Sequence, residues 1–169
     1  STGEQQTIAL LSMALKQLGQ KSISLTGAQA GIITVGHHTK SKIKSIDPKI
    51  ITSHLNKGKI VIVAGFQGMN EKGDITTLGR GGSDTSAVAL AASLGAQCEI
   101  YTDVDGIYSI DPRVYSKAKK IKKISYEEMM EMANLGAGIM ETRAVELGKK
   151  YNVPIYVGES LREHDGTLI

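Results

Sequence analysis

Hydrophobic positions along the chain switch between helical and strand spacing. Over residues 3–19, Ile8, Leu11, Leu15 and Leu18 recur at helical period, which predicts a helix with one apolar stripe, stopped by Gly19. Ser22–Leu25 predicts a short strand, and the polar, Gly-containing stretch 27–44 has weak periodicity. Asp47 as N-cap with Pro48 at the first helical position predicts a helix to about Asn56, ended by Gly58. The run KIVIVA at 59–64 predicts a strand buried on both faces, and the Gly-rich stretch 65–82 predicts loop. A helix over 83–94, rich in Ala, Val and Leu, is expected to be buried over most of its circumference. Cys98–Thr102 predicts the next strand, and 103–123 a long connection that ends basic. Ser125 and Glu128 form a capping box before a helix with Met129, Met132 and Ala133. A further helix over 142–151 has Ala144, Leu147, Gly148 and Tyr151 on one face, and 154–157 predicts the last strand.

Strands alternating with helices predict an α/β fold with a mostly parallel sheet and helices on both faces. Such sheets bind ligands at the carboxyl ends of their strands, so the loops after Ala64 and Thr102 are the places to look. The stretch LGRGGSD at 78–84 runs straight into a helix. Its glycines allow close backbone approach, the helix start offers N–H groups and a positive dipole end, and Arg80 supplies a planar fork for a carboxylate or phosphate. That reads as an anion site. The plainer reading is a Gly-rich turn with an ordinary Ser83 or Asp84 cap. It matches neither the Walker A pattern nor G-x-G-x-x-G, because Asp84 stands where the third Gly belongs. In TDVDGIYSIDPR at 102–113, Asp103 and Asp105 suit Mg²⁺ or a ribose and Tyr108 a base pocket; the alternative is a polar loop with two turns. Glu4 serves either as a ligand contact or only as an acid favoured by a helix N-terminus.

Composition narrows the classes. Gly accounts for 19 of 169 residues, above the usual share of about 7%, which fits turns and close approaches. Seven scattered aromatics give single-stranded nucleic acid few stacking platforms, and a net charge of +3 suits small anions better than a polyanion. One cysteine, Cys98, permits no internal disulfide, fits a reducing compartment and is expected in the core. No apolar run in these residues reaches membrane-spanning length, and no signal peptide is expected before the first helix. His37 and His38 are adjacent, His54 and His164 stand alone, and no metal-ligand set is assigned. Met129, Met130 and Met132 are read as packing, and Lys117, Lys119, Lys120, Lys122 and Lys123 as a solvated basic face.

Together, GFQGMNEKGDITTLGRGGSDTSAVALAASLGA, YTDVDGIYSIDPR and ISYEEMMEMANLGA resemble the catalytic domain of the aspartate kinases, within the amino acid kinase family. The likeness covers nearly the whole chain. It implies a three-layer αβα sandwich and phosphoryl transfer from MgATP to the side-chain carboxylate of L-aspartate, the opening of lysine, threonine and methionine synthesis. By motif match it implies that Glu4, Arg80, Gly81, Gly82 and Ser83 bind substrate. Asp84 organises the phosphate region and, with Arg80, serves catalysis. Thr102, Asp103, Tyr108, Arg113, Gly138 and Ile139 bind the nucleotide. ATP and Mg²⁺ are the implied cofactors, the cytoplasm the implied compartment, and a homodimer or higher homo-oligomer the implied assembly, with no nucleic acid or membrane partner.

Residues 1–169 are thus expected to form a single catalytic domain without a regulatory module. Three departures bear on activity. The family's N-terminal strand with its Lys-Phe-Gly-Gly-[Ser/Thr] motif does not occur in these residues. Gly138 stands where the family has a Lys, in Gly136-Ala137-Gly138. Glu141-Thr142-Arg143 replaces a common His-Pro-Arg. The first two remove cations from the transferring phosphate, so weak or no turnover is expected of this chain alone. The rivals are a family member acting on another carboxylate or carbamate, and a non-catalytic nucleotide- or amino-acid-binding module.

Overall fold

The computed structural model describes residues 1–136, 139–161 and 165–169. Its first half runs through helix α1 (Thr2–Gln17), strands β1 (Ser22–Leu25), β2 (Ile32–Val35) and β3 (Lys42–Ile46), helix α2 (Lys49–Leu55), and strands β4 (Ile60–Val63), β5 (Gln67–Met69) and β6 (Ile75–Thr77). Then come helix α3 (Gly82–Leu94), strands β7 (Cys98–Thr102), β8 (Ile107–Tyr108) and β9 (Lys120–Ile121), helices α4 (Tyr126–Asn134) and α5 (Thr142–Tyr151), and strands β10 (Ile155–Glu159) and β11 (Thr167–Leu168).

The expected parallel pairings form, but in separate pieces. β1 lies parallel to β4 with Ser22 opposite Ile60, and β7 lies parallel to β10 with Cys98 opposite Ile155. β11 closes the outer edge of β10 antiparallel. The sheets are mixed rather than mostly parallel. The order β3–β2–β5–β6 is antiparallel except for the β2–β5 contact at Ile33 and Met69, and β8 pairs β9 antiparallel. Among the described residues β4 pairs with β1 alone, its apolar side chains are only half covered and Ile60 is 41% exposed. The expectation of burial on both faces fails there.

Strands β2, β3, β5 and β6 occupy stretches without a clear hydrophobic signal. Beside the buried Ile32 and Gln67 they bury hydroxyls: Thr34 Oγ1 and Thr76 Oγ1 are 2.6 Å apart, and Thr76 Oγ1 donates to Ser41 Oγ at 3.0 Å. Hydroxyl packing erases the alternation by which a strand is recognised. Gly68 is dictated by closeness, since a Cβ there would stand 2.6 Å from the Thr34 methyl and 2.7 Å from the Ile32 carbonyl oxygen.

On α1 the expected stripe is only partly used. Ile8 is buried, but Leu11 and Leu18 face out, and the inner surface is completed by Ser12, whose hydroxyl lies 2.9 Å from that of Ser22 on β1. The Asp47 cap is shifted one position: its carboxylate accepts from Lys49 N, while Pro48 takes the N-cap place. The capping box forms as read, with Glu128 N donating to Ser125 Oγ and Ser125 N to Glu128 Oε2.

The main core joins α3, α4, α5, β7 and β10 through Val88, Met129, Ala144, Val145, Ile155 and Val157, with Cys98 inside it. Met129 is fully buried, and Met130 and Met132 pack against this core. A smaller cluster of Leu25, Ala30 and Ile51 fills the β1–β4 side. Helix α3 belongs to both, Val88 and Ala91 facing the first and Leu90 and Leu94 the second. It therefore stands as a shared wall, with its N-terminus at the glycine loop.

Candidate active site

The glycine loop is built by backbone conformations that favour glycine. Gly79 has φ +83° and Gly81, the N-cap of α3, has φ +61°. Leu78 N donates to Phe66 O and Gly82 N to Gly79 O, so the loop doubles back onto the segment after β4. Phe66 itself has φ +68°, an unusual value for a non-glycine residue. Ser86 holds it, accepting from Phe66 N at 2.9 Å and donating to Gly82 O at 2.7 Å. Thr85 N goes to Gly81 O, which leaves the Ser83 and Asp84 N–H groups among those an α-helix cannot satisfy internally. Arg80 and Ser83 are exposed, so the loop presents a guanidinium, a hydroxyl and a helix N-terminus on one side.

Asp84 and Glu141 add negative charge behind this loop. Both line a cavity of about 290 Å³ with Gly81, Gly136 and Ile139. Burial pushes the Asp84 carboxyl above its ordinary range, the Glu141 N–H pulls it back, and the Glu141 carboxylate adds to the rise. The Glu141 side chain lies so close to Gly81 that an added Cβ would stand 2.7 Å from its Cγ. Arg143 crosses from α5 to the same loop, donating from Nη1 to Leu78 O at 3.2 Å, from Nη2 to Arg80 O at 2.8 Å and from Nε to Glu141 Oε1 at 3.3 Å.

Glu4 reaches this region by way of β5. Gln5 Nε2 donates to Gln67 Oε1, and Gln67 Nε2 donates to Ser1 O, so the buried Gln67 seats the start of α1 beside Phe66. Glu4 Oε2 is buried, and the Ser1 ammonium stands 3.2 Å from it as an ion-pair partner. The Glu4 carboxyl is held below its usual range, first by a backbone N–H and then by that ammonium. A carboxylate in this setting is suited to a ligand ammonium.

The second loop forms its own cluster. Asp105 accepts from Tyr108 OH at 3.1 Å and pairs with Lys120 Nζ at 2.6 Å, with Lys120 also donating to Asp165 O. The Lys120 hydrogen bond is the main reason the Asp105 carboxyl lies below its usual range. Thr102 Oγ1 donates to Asp103 Oδ1, and Arg113 grips Asp111 with two nitrogens while lying 89% exposed. Among the described residues no hydrogen bond or ion pair joins this cluster to the glycine loop. Ile139 lines the Asp84 cavity, whereas Gly138 and His164 lie outside the described residues.

Gln67, Ser86, Glu141, Arg143 and Lys120 escaped the reading of the sequence as site residues. Lys120 was hidden in a basic run taken as solvated; its register opposite Tyr108 in the β8–β9 pair sets it apart. Arg143 lies more than sixty positions from the carbonyls it holds, and no local pattern marks that contact. Among the described residues no three His, Cys, Asp or Glu side chains converge as a metal site, and no helix is long and apolar enough to cross a membrane.

The family model for the amino acid kinase family matches residues 1–159. The chain belongs to the amino acid kinase family. Within that family it is 57% identical over 170 residues to an aspartate kinase of Pseudomonas fluorescens and to an aspartokinase of Geobacillus stearothermophilus, covering all of this chain and 41% and 42% of those proteins. The chain thus spans about two fifths of the length of the curated relatives it matches. Among solved structures, E. coli aspartokinase III in complex with aspartate and ADP superposes with a TM-score of 0.91 at 34% identity, over 98% of this chain and 38% of that one. The aspartate kinase from Synechocystis gives 0.82 at 46% identity, over 100% of this chain and 28% of that one. The α/β architecture is that of amino acid kinases, and the whole glycine loop, α3 and the TDVDG segment fall inside the matched region.

Proposed function

We propose that this chain forms the core of an aspartate kinase site, transferring a phosphoryl group from MgATP to the side-chain carboxylate of L-aspartate. The observation that carries this is the glycine loop, where the exposed guanidinium of Arg80 stands at the N-terminus of α3. The exposed Arg80 fork and the α3 N-terminus suit a carboxylate, and the Glu4 carboxylate, here paired with the Ser1 ammonium, suits a ligand ammonium. A zwitterionic substrate with a second carboxylate uses all three. Gly81, Gly82 and Ser83 bring backbone and hydroxyl close to it, as the strained approach at Gly81 requires.

The nucleotide falls to the TDVDG cluster. In this reading Thr102 and Asp103 contact it, Tyr108 lies against the base, and Arg113 exchanges Asp111 for a phosphate. Asp84 and Glu141 are two carboxylates in one cavity beside the phosphate-binding helix end. Without a cation they would repel a phosphate. Magnesium bound through one or two carboxylates plus phosphate oxygens fits this donor set, and when bound it supplies charge neutralisation on the transferring group. The protein's own residues contribute positioning, which is most of what phosphoryl transfer asks.

Titration calorimetry with MgATP, with and without L-aspartate, tests the reading, together with an ADP-release assay. Saturable binding of both ligands is expected. A folded chain that binds neither overturns it. Gly138, in the position of a family lysine, favours slow turnover well below about 1 s⁻¹. It also supports the second reading, a binding module: tight binding of both ligands with no ADP release would favour that one.

A further inference from the structure

The glycine loop does not hold its own shape. Glycine enters the left-handed region about as readily as the right-handed one, so the +83° of Gly79 and +61° of Gly81 need an external restraint. On one side the restraint is backbone, Leu78 N to Phe66 O and Gly82 N to Gly79 O. On the other it is Arg143. Its two terminal nitrogens bond the carbonyls of Leu78 and Arg80, the residues on either side of Gly79, while Glu141 takes its Nε. Among the described residues, no other side chain from outside the loop and α3 bonds these two carbonyls. A planar guanidinium can span alternate carbonyls; a lysine ammonium is a single point and cannot reproduce the fork.

We propose that Arg143 is a positioning residue for substrate recognition. It fixes the peptide planes around Gly79, and through them the direction in which Arg80 leaves the loop. The proposal rests on the reading of this loop as the amino acid site. It makes Arg143 selective: the substrate carboxylate depends on the loop it holds, whereas MgATP is reached from Arg143 only through the Glu141 carboxylate that its Nε bonds. The far side of Arg143 lines an open cavity of about 620 Å³ with Leu78, Thr85 and Glu146. A shorter side chain at 143 therefore has room and does not force the helices to collapse.

The test compares the chain with Arg143→Lys and Arg143→Gln. For each, L-aspartate and MgATP affinities are measured by calorimetry, the thermal midpoint by circular dichroism, and amide exchange over residues 79–83. The expected result is about tenfold weaker aspartate binding in both variants, the size of one or two lost hydrogen bonds, with a smaller loss of MgATP affinity through Glu141 and faster exchange in the loop. Unchanged aspartate affinity overturns the proposal. So does a parallel loss of both affinities with a lowered midpoint, which would mark a purely structural arginine. If both variants fail to fold, that too counts as the structural outcome. Should the unaltered chain bind MgATP but no aspartate, the functional reading of the loop fails and this proposal falls with it. Faster loop exchange in the variants would then show a restraint without a recognition role.

Discussion

Asp84 is where three influences on one carboxyl compete. Burial and the neighbouring Glu141 carboxylate disfavour its charge, and the Glu141 N–H favours it, with the balance toward a raised pKa. A carboxyl whose pKa is higher folded than unfolded lowers stability above the folded value, and this cost disappears as pH falls below the unfolded value. Asp84→Asn should therefore raise the thermal midpoint at neutral pH, with the gain shrinking to nothing in acid, while MgATP binding weakens. Paired melting curves at neutral and acidic pH check this; an equal gain at both would mean that charge is not the cause. Gly81 makes the complementary case. Gly81→Ala puts a Cβ against the Glu141 side chain at a φ of +61°. It should cost about 1–2 kcal/mol, a midpoint drop of about 2–8 °C. Arg80, Ser83 and Asp84 were legible because the chemistry is contiguous in GRGGSD. Glu141 and Arg143 were not, because their partners are joined only by the packing of α5 on α3.

At the scale of elements, legibility followed the kind of contact each strand makes. β4, β7 and β10 carry apolar side chains and were recognisable from them. The sheet of β2, β3, β5 and β6 buries the hydroxyls of Thr34, Thr76 and, just before β3, Ser41, and β8 and β9 are two residues each. That last pair nevertheless holds the Asp105–Lys120–Tyr108 cluster. Ile107 is fully buried and its N–H is taken by Thr167 Oγ1, which in turn donates to Ile121 O, so β8, β9 and β11 are tied together beneath the cluster. If this cluster carries the nucleotide, Lys120→Met should weaken MgATP binding several-fold and leave aspartate binding intact. Asp105 loses its main stabilising partner in that variant, so its carboxyl returns toward the ordinary range. Ligand titrations on the purified variant decide the matter: equal loss of both ligands would place Lys120 in the general fold instead.

Across the whole molecule the two cores are unequal. Among the described residues, twelve buried ones form the cluster around β7 and β10, and three form the one beside β1 and β4. Hydrophobic stabilisation scales with apolar area removed from water, and among the described residues β4 pairs with β1 alone, its apolar side chains half covered. Segments with few buried contacts open at lower free energy than the rest of a fold. The amides of β1, β4 and α2 should therefore exchange at least about tenfold faster than those of β7, β10 and α5, a difference of about 1.4 kcal/mol in opening free energy. Helix α3 opposes this separation, because Leu90 and Leu94 pack on the small core while Val88 and Ala91 pack on the large one. The exchange pattern weighs these two effects against each other. Slow exchange confined to the large core means that α3 bridges two units of different stability, and that α1, which carries Glu4 and packs on β1 and β4, belongs to the looser one. Uniform protection across β1, β4, β7 and β10 would refute the separation. It would mean that α3 makes the glycine loop, Glu4 and the nucleotide cluster parts of one cooperative body.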